Sequence, residues 1–277
     1  MTDGAPTGDW RLISEENLPG ALAMAFDTAA AETAASGGRW TVRVYRWTPS
    51  TLSLGYRQRP ETIAWETCVA NGIDIVRRQT GGGAIYHDHS ADLSYSIIAP
   101  ADELPGDLMD CYEILCQPIL DTFHELGIDA RFADEKRPAL HKPACYLRTL
   151  HPAHDMVAGS GRKIAGNAQY RTRDAIVQHG SLSFSVDAER HLCCFADPGV
   201  TSAEFRDRVT GIAEQLGETP NEDLRERVVE TLETTLTEWC DAEAGTWTDE
   251  ERRRAETVAE EKYRSDAWTR HRDAPKL

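Results

Sequence analysis

Three consecutive glycines between two runs of β-forming residues are the tightest constraint in this chain. Residues 77–88 read Arg-Arg-Gln-Thr-Gly-Gly-Gly-Ala-Ile-Tyr-His-Asp. Ile73, Ile75 and Val76 favour a strand ending near Arg77, and Ala84-Ile85-Tyr86 resumes an extended pattern. Gly81, Gly82 and Gly83 remove three side chains in succession. Backbone N–H groups can then approach a bound group closely, and positive φ carries no Cβ penalty. Arg77 and Arg78 are expected to bring fixed positive charge to the rim, with His87-Asp88 as a titratable pair just beyond. The run fits a cradle for an anionic or carbonyl-bearing group; its plainer alternative is a hairpin with solvated arginines. It is not the dinucleotide fingerprint, whose spacing is G-x-G-x-x-G. Nor is it a P-loop, because no Gly-Lys-Ser/Thr follows.

A second run, Gly-Arg-Lys-Ile-Ala-Gly-Asn-Ala-Gln at 161–169, precedes Gln178-His179-Gly180-Ser181-Leu182. Together, Arg-Arg-x-x-Gly-Gly-Gly-Ala-x-x-His-Asp and Arg-Lys-Ile-x-Gly-x-Ala closely resemble the lipoate–protein ligase and octanoyltransferase superfamily, over about 52–182 and more loosely to the C-terminus. The resemblance implies that the glycine loop encloses an acyl chain or its adenylate, and that Lys163 contacts the acyl carboxyl or carbonyl region. It places Arg77, Arg78, Gly81, Gly82, Gly83, Ala84, His87, Asp88, Gly166, Ala168, His179 and Gly180 at the acyl or adenylate site. Gly55-Tyr56-Arg57-Gln58 belongs at the acyl pocket by the same resemblance. No metal ligands are expected.

The length of 277 residues fits one large domain, or one with a small appendage. We expect an unstructured segment at 1–9, a catalytic domain over 10–200 and a helical extension packed on it over 201–277. The N-terminus lacks an apolar signal region, and no apolar run reaches the roughly 18 residues of a membrane span, so a cytoplasmic protein without a membrane partner is expected. A net charge of −16 argues against non-specific nucleic-acid binding. Five of the 30 basic residues are lysines, leaving 30 − 5 = 25 arginines. A lysine-poor acidic surface suits high salt, which screens self-repulsion; a GC-rich genome gives the same bias. Seven cysteines with no Cys-x-x-Cys point away from a disulfide framework or a zinc site.

Along the chain, helical spacing predicts helices over 17–35, 61–71, 108–126 and 221–240, with Thr248-Asp249 capping a last one over 250–263. Pro118 is a possible kink. Alternation predicts strands over 40–47, 51–56, 92–98, 128–132, 156–158, 163–170 and 176–186. Residues 134–150 read as a long loop, a class that is often functional. Hairpins interspersed with helices give an α+β fold around a mixed, largely antiparallel sheet. The resemblance implies the same fold, akin to a class II synthetase catalytic domain.

The chemistry divides on activation. A free carboxylate does not acylate an amine at neutral pH. The acyl group therefore arrives as an adenylate made with ATP, or as a thioester that passes through an enzyme cysteine. Cys145, in Pro-Ala-Cys-Tyr ahead of the lysine motif, resembles the nucleophile of cysteine-dependent octanoyltransferases. A nearby Lys163 ammonium would favour its thiolate; the alternative is a buried loop cysteine. Gly83 and the ending Lys262-Tyr263 to Trp268 resemble short archaeal-type lipoate ligases instead. The transferase reading has no tightly bound cofactor, and the ligase reading uses ATP and Mg. In either, the expected acceptor is the lipoyl carrier domain of a 2-oxoacid dehydrogenase or the glycine cleavage H protein, with acyl carrier protein as the donor in the first. A non-catalytic acyl-binding module is the third reading, disfavoured by the intact Lys163 and His87-Asp88. Replacing Lys163 is expected to abolish transfer and leave the fold intact.

Overall fold

The computed structural model describes residues 4–152 and 154–273. β1 (Trp10–Leu18) leads into α1 (Gly20–Ala35), β2 (Trp40–Trp47), β3 (Thr51–Leu54), α2 (Trp65–Ala70), β4 (Asp74–Arg77), β5 (Ile85–His87) and β6 (Asp92–Pro100). α3 (Leu108–Glu125), β7 (Ala130–Phe132), β8 (Asp155–Ala158), β9 (Lys163–Arg171) and β10 (Ala175–Ser183) follow. The remainder is α4 (Ala188–Cys193), α5 (Ser202–Arg208), α6 (Ile212–Leu216), α7 (Glu222–Cys240), β11 (Glu243–Ala244), α8 (Asp249–Val258) and α9 (Asp266–His271).

Eight strands form one sheet in the order β11-β1-β2-β6-β10-β9-β8-β7, and β4-β3-β5 form a second. In the large sheet β1 runs parallel to β2 and β11, and the other pairings are antiparallel. This is the mixed, largely antiparallel α+β fold expected. The main core lies between the large sheet and α1, α3, α7 and α8. Ala23, Ala25, Ala29 and Ala30 give α1 a small-residue surface within that core. A second core packs the small sheet against α2, α4 and α5.

Two local expectations are revised. Residues 10–18 form β1, and the helix expected over 17–35 begins only at Gly20, after Pro19. A register shift between Ile13 and Glu16 breaks the alternation, and the buried Arg11 hides one inward position. At the other end, the helix expected over 250–263 is α8 followed by a π-turn over Ala259–Tyr263. Thr248 caps it in a capping box with Glu251. α3 continues through Pro118.

Of the segment expected to lack structure, residues 1–3 lie outside the described residues. In the rest, the Pro6 carbonyl accepts from Trp10 Nε1 at 3.0 Å. Residues beyond 201 share the main core, through Leu224, Val228, Leu232, Leu236, Trp247 and Trp268. No helix among the described residues is long and apolar enough to cross a membrane.

Candidate active site

The glycine loop joins β4 to β5, and Arg78 holds it from beneath. Its Nη2 donates to the Gly81 and Gly83 carbonyls at 2.9 and 2.7 Å, its Nη1 to the Ser53 carbonyl at 2.8 Å, and its Nε to Thr80 Oγ1 at 3.0 Å. With the carbonyls turned to Arg78, the N–H groups of Gly81, Gly82 and Gly83 donate no hydrogen bond within the described residues. Those of Gly81 and Gly82 are available to a ligand oxygen. Gly82 has φ +96°, a conformation only glycine adopts without strain. Gly83 is required for another reason: a Cβ there would lie 2.5 Å from the Pro143 carbonyl oxygen and 2.8 Å from Cys145 N. The loop carrying Cys145 crosses at that point. Ala84 N donates to the Pro143 carbonyl at 2.7 Å, and Cys145 N to the Ala84 carbonyl at 2.8 Å.

Lys163 opens β9 at a bulge: Met156 pairs with Ala165 but Val157 with Lys163, so Ile164 is the extra residue. Bulges re-aim side chains at functional sites. The Lys163 stem lies over Gly166, where a Cβ would be 3.1 Å from its Cε. Its ammonium sits 2.6 Å from Asp155 Oδ1, 3.5 Å from the Cys145 carbonyl oxygen and 5.3 Å from the centre of the Tyr146 ring. Burial opposes the lysine charge, but Asp155 and then Cys145 outweigh it, and the Lys163 pKa lies above the ordinary value. Burial likewise opposes the Asp155 charge, but Lys163 and His154 hold its carboxyl far below the usual range. The Cys145 thiol is free and half-buried.

These groups open on a cavity of about 450 Å³ lined by residues of both sheets. Its apolar wall includes Met24, Tyr45, Trp47, Ile85, Tyr112 and Ala168, a shape and chemistry suited to an alkyl chain. Gly180 keeps the wall thin, since a Cβ would fall 2.3 Å from Asn167 Oδ1 and 2.4 Å from the Tyr95 ring. His87 stacks on Trp47 with ring centres 4.2 Å apart. Its Nε2 meets Ser53 Oγ at 2.8 Å and its Nδ1 meets Asp92 Oδ2 at 2.9 Å. Asp92 also accepts from Ser94 at 2.9 Å and from Ser181. His179 bridges Thr80 Oγ1, at 2.7 Å, and Asp27, at 3.3 Å. Burial lowers its pKa below the ordinary histidine value although Asp27 opposes this, and Arg78 and His87 add to the lowering.

The cavity thus gathers Arg78, Gly81, Gly82, His87, Cys145, Lys163, Gly166, Ala168, His179 and Gly180. Gly83 and Ala84 stand behind it, as the seat of the Cys145 loop. Two expected residues lie elsewhere. Arg77 is fully buried, not on the rim. It donates to the Gly55, Tyr56 and Gln58 carbonyls, each at 2.9 Å, and to the Thr269 carbonyl at 2.8 Å. Burial, with Arg272 and Arg78 adding, pushes it down to about 10. Asp88 accepts from Tyr86 Oη at 2.8 Å and pairs with Arg190 at 3.3 Å, outside the cavity. The partner of His87 is Asp92, because β5 leaves Asp88 in the turn. Gly55-Tyr56-Arg57-Gln58 does not line the cavity either; it braces the glycine loop, where a Gly55 Cβ would meet the Gly82 carbonyl at 2.2 Å. Ser53, Asp92 and Asp155 escaped the sequence reading, which quoted Ser181 within a motif but gave it no role. A hairpin turning at 159–161 brings Asp155 opposite Gly166, so its register could have exposed Asp155. Nothing local marks the others. Among the described residues no group of three or more His, Cys, Asp or Glu is placed to hold a metal ion.

A family model described as the lipoyl protein ligase A/B catalytic domain matches residues 19–233. The chain belongs to this family. Among curated members, octanoyltransferase LipM of Geobacillus kaustophilus (strain HTA426) is 34% identical over 273 residues, covering 94% of this chain and 97% of that protein. Octanoyltransferase LipM of Halalkalibacterium halodurans is 32% identical over 274 residues, covering 94% and 98%. A solved putative lipoate protein ligase from T. acidophilum with bound lipoic acid superposes with a TM-score of 0.75 at 22% identity, over 95% of this chain and 99% of that one. A bipartite lipoate protein ligase with its E2 lipoyl domain from Thermoplasma acidophilum gives 0.76 at 21%, over 98% and 99%. These structures share the family fold.

Proposed function

We infer that this enzyme is an octanoyl/lipoyl transferase of protein lipoylation, with Cys145 carrying the acyl group as a thioester. The observation that carries the Cys145 assignment is a free, half-buried thiol lining a cavity sized for an alkyl chain, on the residue whose carbonyl accepts from the Lys163 ammonium. Octanoyltransferase relatives that align nearly end to end support the same reaction class. The donor is an octanoyl thioester on acyl carrier protein. The acceptor is a lysine of a lipoyl carrier domain, from a 2-oxoacid dehydrogenase or the glycine cleavage H protein.

In the first half-reaction the Cys145 thiolate attacks the thioester carbonyl and the donor thiolate leaves, so one thioester replaces another. The tetrahedral oxyanion lies within reach of the glycine-loop N–H groups. Such donors contribute roughly 2.7–4 kcal/mol each where tested in other enzymes. In the second half-reaction the acceptor amine attacks the Cys145 thioester, an amide forms, and the amine proton leaves as the Cys145 thiol is restored. Lys163, held charged by Asp155, supplies fixed positive potential beside the carbonyl in both steps. This route uses no tightly bound cofactor.

The ligase reading differs by requiring ATP and Mg. Incubation of the enzyme with octanoyl–acyl carrier protein and an apo lipoyl domain, followed by intact mass, separates the two. We expect octanoylated acceptor without ATP; acceptor modified only from free octanoate and ATP would establish the ligase route.

A further inference from the structure

The loop over residues 136–154 departs from the acidic character of the chain. Residues 136–154 contain four Lys or Arg, three His and no Asp or Glu, and two of the five lysines. The rest of the chain therefore carries −16 − 4 = −20. This segment is the loop that carries Cys145. Several basic side chains elsewhere are neutralised locally: Arg11 by Glu251, Arg43 by Asp27, Arg225 by Glu15 and Arg254 by Glu32. Lys136, Lys142 and Arg148 are exposed and form no ion pair among the described residues. Among the described residues the Arg148 side chain donates to the Lys142 carbonyl at 3.5 Å and to no carboxylate.

The charges stand where a thioester must enter. Lys142, Arg148, His151 and His154 line the same cavity as Cys145. The Arg148 charge is felt at both Lys163 and Arg78, and that of Lys136 at His151. Apolar groups flank them. Leu140 is 46% exposed within the loop, and Leu108 and Met109 are 53% and 47% exposed at the start of α3. Leu108 lies one turn before Tyr112, a cavity residue whose ring is 5.5 Å from that of His154. Unpaired cations mixed with exposed aliphatics fit an acidic protein surface better than a free metabolite.

We propose that the 136–154 loop, with Leu108 and Met109, is the docking surface for an acidic acyl-carrier protein whose phosphate-bearing thioester arm enters past Arg148 to Cys145. The proposal rests on the transferase reading above and adds to it where the donor binds. The phosphate is shared by coenzyme A thioesters, so the donors must be compared.

Initial rates of Cys145 acylation, read by intact mass, are measured with three octanoyl donors: holo-acyl carrier protein, coenzyme A and N-acetylcysteamine. The Lys136→Glu/Leu140→Glu variant changes two exposed loop side chains that do not line the cavity, and leaves the groups around the thiol in place. We expect it to lose at least about tenfold in kcat/KM with the carrier protein, within the range of electrostatic steering. It should lose less with coenzyme A and stay within about twofold with N-acetylcysteamine, and wild-type turnover of the carrier should fall with added salt. Carrier rates unchanged in the variant, or an equal loss with all three donors, would overturn the proposal. So would equal losses with carrier and coenzyme A, since the phosphate alone would then be recognised. A defect only in transfer to the lipoyl domain would assign the surface to the acceptor and overturn it too. If no thioester acylates wild-type Cys145, the transferase reading fails by itself. The surface is then judged by anisotropy of labelled holo-carrier, where equal affinity for wild type and variant rejects it.

Discussion

Adjacent arginines in this chain do different work, and only burial separates them. Arg78 ties down the Gly81 and Gly83 carbonyls at the cavity, while Arg77 ties β4 to the 55–58 turn and to α9. The sequence shows two identical charges; which faces the ligand depends on strand register. Lys163 was legible as a functional residue, but its partner was not. Because Lys163 and Asp155 are a buried pair, removing one leaves the other's charge stranded, at about 3–5 kcal/mol. Lys163→Met is thus expected to lose transfer and also stability, contrary to the sequence expectation that the fold is spared. Lys163→Met/Asp155→Leu should recover most of the stability and none of the transfer. Urea unfolding and carrier acylation measure the two; a double mutant as unstable as the single would contradict the pairing argument.

His191 gives a pH dependence. Burial, with His87 and His141 adding, pushes its imidazole down to about 3 from 6.5. A folded pKa below the unfolded one contributes stability that is complete above 6.5 and lost as pH falls toward 3. Between neutrality and pH about 5 the loss is about 2 kcal/mol. His191→Phe, within rings including Phe195 and Phe205, should lack that component of the slope in urea unfolding at the two pH values. Identical slopes would show that His191 is not buried neutral.

At the scale of elements, the site is the crossing of two loops on two sheets. The strands β2 and β6 were legible by their alternation, and β9 and β10 because turn signals bound them. β1 was not, since its alternation is interrupted by the irregularity at Ile13 to Glu16 and by the buried Arg11. The Cys145 loop was recognisable by its length and lack of periodicity, but its contact with the glycine loop spans some sixty residues of sequence and has no local signal. Gly83→Ala tests that contact. Its methyl group would displace the Pro143–Cys145 backbone, and a shift of about 1 Å in a reacting group can cost about a hundredfold in rate. We expect that loss in Cys145 acylation at a stability cost of about 1–3 kcal/mol. A normal acylation rate would mean that the crossing does not position the thiol.

Across the whole molecule, fold class and family were legible because two long motifs, in order, bracket the site from both sheets. The cavity was not, because Ser53, Asp92, Asp155 and Ser181 are ordinary residues in ordinary strands until the sheets face one another. The C-terminal extension is tied to the same body: Trp268 Nε1 donates to the Arg77 carbonyl at 2.7 Å, and Lys262 lies 4.4 Å from the Trp268 ring centre. Lys262 and Trp268 thus brace the strand that leads into the glycine loop, which accounts for the ending without invoking adenylate chemistry. The central claim is that Cys145 carries the acyl group. Its most direct test is intact mass of the enzyme after brief exposure to octanoyl–acyl carrier protein, with no ATP and no acceptor. The account predicts one added octanoyl group, removed by hydroxylamine and absent in Cys145→Ser. An unmodified wild-type enzyme, or a Cys145→Ser variant that still octanoylates the acceptor at the full rate, would contradict it.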